Sequence, residues 1–245
     1  MRTSNPSLNS KTFERAAPGA GVMTIEGTVN KVGILLLLML VPASYMWSKV
    51  MNAWDPSAAM GVAVMGAIGA FIFALITVFK KTWAPVTAPI YAVLEGLFLG
   101  AISGVFNQAY PGIAMQAVAL TIGTLFTLLL AYRSGIIKAT ENFKLGVVAA
   151  TGGIAMLYLV SIVMGFFGAS IPFIHSSGTF GILFSLFVVV IAALNLVLDF
   201  DFIETGAEMG APKYMEWYAA FGLMVTLVWL YLEILRLLAK LQSRD

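Results

Sequence analysis

The chain has 245 residues, 60% of them hydrophobic and only 11% charged, with a mean hydropathy of +0.93 and a formal net charge of +2. A soluble domain carries roughly 25% charged residues, so this composition excludes a water-facing surface and implies an all-α protein that crosses a membrane several times. The absence of cysteine excludes disulfides and thiolate metal sites, the single histidine, His175, cannot build a zinc site, and a small net charge with scattered basic residues argues against nucleic acid as a partner.

Residues 1–30 are polar and broken by Pro6, Pro18 and several glycines, without the apolar core of a signal peptide, and read as a flexible tail. A helix needs roughly 20 apolar residues to cross about 30 Å of hydrocarbon. Seven segments qualify in residues 31–245: 33–51, 59–79, 86–106, 112–132, 145–168, 178–198 and 214–240. The breaks carry turn chemistry or charge: Asp55-Pro56, Lys80-Lys81 with Pro85, Tyr110-Pro111-Gly112, Arg133 to Lys144, Ile171-Pro172, and Gly206 to Pro212. Tyr45, Trp47, Trp54, Trp83, Tyr132, Trp217 and Tyr218 cluster near span ends, as interfacial aromatics do.

Orientation follows from the basic residues. Arg2, Lys11, Arg15, Lys31, Lys80, Lys81, Arg133, Lys138, Lys144 and Lys213 lie on the N-terminal side of seven crossings, against Lys49, Arg236, Lys240 and Arg244 on the other. The excess puts the N-terminus in the cytoplasm. In the third span Gly96, Gly100 and Gly104 draw a stripe that lets another helix approach closely, here read as packing within the chain.

The acids carry the functional reading. In LNLVLDFDFIETG, Asp199, Asp201 and Glu204 follow a long apolar run. At about 100° per residue, Asn195 and Ala192 lie within about 40° of Asp199, while Asp201, Glu204 and Glu208 fall about 140° to 200° away. The second face leads into the connection and reads as a solvated helix end. Asp199 continues back into the apolar span through Asn195 and reads as an intramembrane acid, which normally faces a polar interior or a partner. Glu95 sits in the middle of the third span with no cation in the adjacent turns. It reads either as an interior acid or as a structural one bonded to a neighbouring helix. Glu233 has Arg236 three residues on, so a local ion pair competes with a functional role. Glu216 opens the last helix, where an acid favours the positive end of the helix dipole. No catalytic motif is present, so no enzyme and no cofactor are expected. Carboxylates, an amide and hydroxyls suit protons or transient Ca²⁺, with Asp199 and Glu95 as its ligands.

These residues resemble the Bax inhibitor-1/YccA-like family over about residues 30–245. Asp199-Phe-Asp-Phe-Ile203 matches its D-x-x-x-I pattern at the end of the sixth span, and LVWLYLEILRLLAKL resembles its terminal helix with an LLR motif. Lys80 and Lys81 stand where relatives carry a basic cluster, and NPSLNSKTFE looks particular to a bacterial subgroup. The resemblance implies six helices in two layers of three around a central seventh. It also implies a pH-sensitive Ca²⁺ leak gated by two aspartates that share a proton, in the bacterial cytoplasmic membrane. The second aspartate falls at Thr226, which cannot titrate. Glu233, seven residues later on the same face, is the candidate substitute, with Glu216 or Glu95 from elsewhere. Lys80 is expected to neutralise Asp199 in the closed state. Two other readings remain open. One is a non-conducting protein that modulates a membrane-bound protease or another membrane protein through the tail; the other is a proton-coupled transporter.

Overall fold

The computed structural model describes residues 21–52, 57–168, 176 and 178–243. The leading segment through residue 20, Trp54 with the Asp55-Pro56 break, Pro172 with His175, and Arg244 lie outside them. The described residues contain α1 (Ile25–Asn52), α2 (Ser57–Phe79), α3 (Ala84–Ala109), α4 (Ile113–Arg133), α5 (Glu141–Phe166), α6 (Thr179–Glu208) and α7 (Met215–Gln242), with a 3-10 turn, Lys81–Trp83, between α2 and α3. All seven helices are long and apolar enough to cross a membrane. The protein is an all-α, multi-pass membrane protein. Large apolar side chains such as Met65, Phe71, Phe126, Val163 and Phe187 stand exposed, as lipid-facing residues do.

Local chemistry explains the boundaries. Helix α1 starts earlier than hydropathy suggests and takes in residues 25–30, which the composition assigns to the tail. Thr24 caps it, its hydroxyl accepting a 2.9 Å hydrogen bond from the Gly27 N–H, and Glu26 occupies the first turn. Thr140 caps α5 in the same way through the Phe143 N–H. Helix α6 runs ten residues past the apolar span, because Asp201, Glu204 and Glu208 continue the helix beyond it. It stops where Gly210 adopts φ +65°, a conformation that only glycine reaches without strain.

The described chain divides into two compact units. The first holds the residues up to Ala114 together with Asp201–Val225, and the second holds Met115–Phe200 together with the residues from Thr226 onward. In the first unit the glycine stripe of α3 packs against α1. A Cβ at Gly96 or Gly100 would collide with the Met39 or Ala43 carbonyl, and one at Gly104 would come within 2.9 Å of the Val50 side chain. Such backbone-to-backbone approach supplies the contact that replaces the hydrophobic effect between helices in lipid. A second cluster buries Met23, Phe202, Ile203, Met215 and Tyr218. The core of the second unit is Ile154, Val188 and Ile191, with Tyr158, Phe184 and Trp229 against it.

Candidate functional site

The polar residues of the second unit gather on three helices. Asn195 and Asp199 are one turn apart on α6, so both project from the same side. The Asn195 amide donates two bonds of 2.8 Å, one to the Thr151 hydroxyl on α5 and one to the Ile191 carbonyl. Both amide hydrogens are thereby spent, and Oδ1 is the atom with remaining capacity. Asp199 is partly buried, and the hydroxyl of Thr226 on α7 hydrogen-bonds to its carboxyl group. Its Oδ2 is shut off from solvent and has no hydrogen-bond partner among the described residues. A buried carboxyl oxygen in that state is costly unless it carries a proton or meets a cation. Thr151, Asn195, Asp199 and Thr226 thus form a polar track through apolar helices.

A family model described as Bax inhibitor 1 like matches residues 5–243. The chain belongs to that family. No curated protein and no solved structure matches it. Thr226, at the position that counting back from the LLR motif gives for the family's second aspartate, is the residue whose hydroxyl meets Asp199.

The other acids separate by their partners. Glu233, offered as the second gating acid, is buried and held locally: Arg236 Nη1 bonds both of its oxygens at 2.9 and 3.1 Å, and the Tyr158 hydroxyl donates at 3.0 Å. The same Arg236 lies over the Tyr158 ring, 5.3 Å from its centroid. Seven residues of helix also carry Glu233 about 10 Å along the axis from Thr226. Arg236, one turn away, fixes the carboxylate where it stands.

Lys80 lies in the first unit. It is exposed in the turn after α2 and makes no ion pair among the described residues. Glu95 is buried on α3 in the first unit, one turn after Tyr91, whose ring packs edge-on against Phe221 at 5.0 Å. Asp201 is partly buried, while Glu204 and Glu208 are exposed, which agrees with the solvated face assigned to them. Among the described residues, no group of three or more acidic or histidine side chains gathers to hold a metal.

Glu216 departs most from the sequence reading. It stands in the first turn of α7, as the dipole reading expects, but it is fully buried. Its Oε1 accepts from the Thr24 N–H at 3.1 Å, the Thr24 hydroxyl at 3.0 Å and Lys213 Nζ at 2.8 Å, and Lys31 Nζ stands 3.4 Å from Oε2. Sequence reasoning also missed Thr151 and the buried Lys240. The Lys240 ammonium bonds the Gly181 carbonyl at 3.0 Å and the Ser185 hydroxyl at 2.8 Å. A lone threonine in ATGG gives no signal of its own. Lys240 entered only as one of the basic residues on the far side, because a charge count takes a lysine without regard to what it can reach.

Proposed function

We propose that the protein is a pH-sensitive Ca²⁺ leak channel of the bacterial cytoplasmic membrane, gated by protonation of Asp199, with its N-terminus in the cytoplasm. The observation that carries this reading is the buried, unbonded Oδ2 of Asp199 beside Thr226 and one turn from Asn195. Neutral, the acid suits a packed apolar interior. Ionised, it has no cation beside it among the described residues and draws water or a passing cation instead. The two protonation states therefore favour different helix arrangements, and pH shifts the population between them.

The ligand chemistry fits passage rather than storage. Ca²⁺ takes six to eight oxygens. The track offers one carboxylate, the Asn195 Oδ1 and hydroxyls, so water must complete the shell and the ion is held weakly enough to leave. Glu95, in the first unit, is a second oxygen donor for the ion. The gate rests on a single acid, since Thr226 cannot hold the second proton. The reading requires only protons, Ca²⁺ and the bilayer, with no catalytic step and no cofactor.

The test is Ca²⁺ uptake into proteoliposomes across a pH series. The wild type should show pH-dependent uptake, Asp199→Asn should lose that dependence, and Asp201→Asn should keep it. Equal effects of the two substitutions would remove Asp199 from the gate. Absence of uptake at every pH would turn the reading to the alternative, a non-conducting protein that acts on a membrane-bound protease or another membrane protein. That alternative is favoured by one observation: residues 21–31 are fastened to the chain between α6 and α7, where a partner gripping the leading segment would act.

A further inference from the structure

The buried group that the gate leaves unused is Glu216 with the segment wrapped against it. We propose that Gly21–Lys31 is a strap that latches the start of α7, and that its release regulates the leak; this regulatory role rests on the leak reading above.

Three kinds of contact hold the strap. The first is backbone pairing: Val22 lies opposite Pro212 in an antiparallel bridge, with Met23 N–H donating to the Ala211 carbonyl at 2.7 Å and Lys213 N–H to the Gly21 carbonyl at 3.0 Å. The second is an apolar plug, since Met23 is 1% exposed among Phe202, Ile203, Ala211, Met215 and Tyr218. The third is charge. Glu216 receives the Thr24 amide and hydroxyl and lies between Lys31 of α1 and Lys213 of the connection. Gly27 makes room for it, because a Cβ there would collide with the Glu216 carboxylate. Lys31 also lies over the Trp217 ring, 5.8 Å from its centroid.

The arrangement is strong in place and simple to undo. Only one bridge pair joins strap and connection, and Lys213 is half exposed. Twenty residues of chain precede Gly21. A pull on them loads the Gly21–Lys213 bond first, then Met23, then Thr24 on Glu216. What the strap holds is the same element that faces the gate. Glu216 opens α7, and Thr226 follows on that uninterrupted helix, about 15 Å along its axis. Through that helix a change at the strap reaches Thr226, which holds Asp199 by a hydrogen bond.

The chain has no cysteine, so the only thiols present are those introduced. Positions 22 and 212 form a non-hydrogen-bonded pair, whose Cα atoms lie about 4.5 Å apart and accept a disulfide. In proteoliposomes, oxidised Val22→Cys/Pro212→Cys should leak about fivefold less Ca²⁺ than the same protein reduced. Thr24→Val and Glu216→Gln should leak more than wild type. In a Met23→Cys background they should also expose that thiol to maleimide several-fold faster. Should Glu216→Gln fail to fold, the reversible disulfide and the milder Thr24→Val decide the matter. Equal, Asp199-dependent leak in the oxidised and reduced forms would overturn the latch while leaving the leak reading intact. Loss of Asp199-dependent leak from every form, wild type included, would overturn the leak reading and this regulation with it. The thiol at position 23 would still report whether the strap opens, and full protection in Thr24→Val would overturn release altogether.

Discussion

Glu216 and Asp199 are both acids with buried oxygens on or beside the last helix, and their surroundings are opposite. Glu216 accepts three hydrogen bonds on Oε1, one of them from Lys213, and although its Oε2 makes none, Lys31 stands 3.4 Å from it, so the strap and the connection between them supply two cations. Asp199 has one hydroxyl and, among the described residues, no cation beside its unbonded Oδ2. A charge with two cations against it is part of the architecture, because removing it strands its partners. A charge left without a counterion is poorly suited to architecture, and its presence calls for another reason. Glu233 belongs with Glu216 in this respect, since Arg236 and Tyr158 enclose it. Burial alone therefore does not mark a functional acid in this protein; the inventory of partners does.

The comparison breaks first at Glu216. Glu216→Leu should cost about 3–5 kcal/mol, the usual effect of removing one member of a buried pair, whereas Asp199→Leu should be neutral or stabilising. Thermal unfolding of both variants in detergent checks this, and a large loss at Asp199 would make it a structural acid after all.

A smaller effect is expected from Glu233→Gln. It weakens charge-assisted bonds to Arg236 and Tyr158, which are worth about 1.5–3 kcal/mol each when intact, discounted because Arg236 is 40% exposed. Its pH profile of Ca²⁺ uptake should match the wild type. A shifted profile would return Glu233 to the gate.

Thr226→Asp sharpens the contrast by giving Asp199 a second acid. Two carboxylates within hydrogen-bonding reach cannot both ionise cheaply. The midpoint of uptake should move towards higher pH by about one unit, or about 1.4 kcal/mol, and an added Asp199→Asn should cancel the move. An unchanged midpoint would mean that the Thr226–Asp199 contact plays no part in gating.

The smallest effect belongs to Thr151→Val, which removes one acceptor from Asn195. Interhelical hydrogen bonds in membranes average about 0.6 kcal/mol, so stability should barely change. Uptake should fall slightly as the amide loses its orientation. A loss of stability several times larger would make the Asn195–Thr151 bond a principal support of the second unit.

Much of this arrangement was legible before any coordinates. The six-residue spacing of Asp199, Asp201 and Glu204 separated an inward acid from an outward face, and Glu204 and Glu208 are indeed exposed. The stripe Gly96, Gly100, Gly104 announced a close helix neighbour, although not that α1 would supply it through Met39, Ala43 and Val50. The partners of Glu216 were not legible, because Thr24 and Glu216 are 192 positions apart. No local pattern links them, and the bland reading of an acid in a first turn was the natural one.

The sequence by itself determined the number of spans, the all-α class, the family and the face of the sixth helix that bears Asp199. Each of these follows from local quantities: apolar length against bilayer thickness, the 100° helical turn, and motifs within one segment. Only the tertiary structure decided which acids are neutralised and which is left alone. The strength of a buried charge depends on what stands within a few ångströms of it, and in this chain those neighbours come from helices far apart in sequence. Lys80, adjacent to the acid by analogy, stays exposed, while Lys31 and Lys213 close on Glu216 instead.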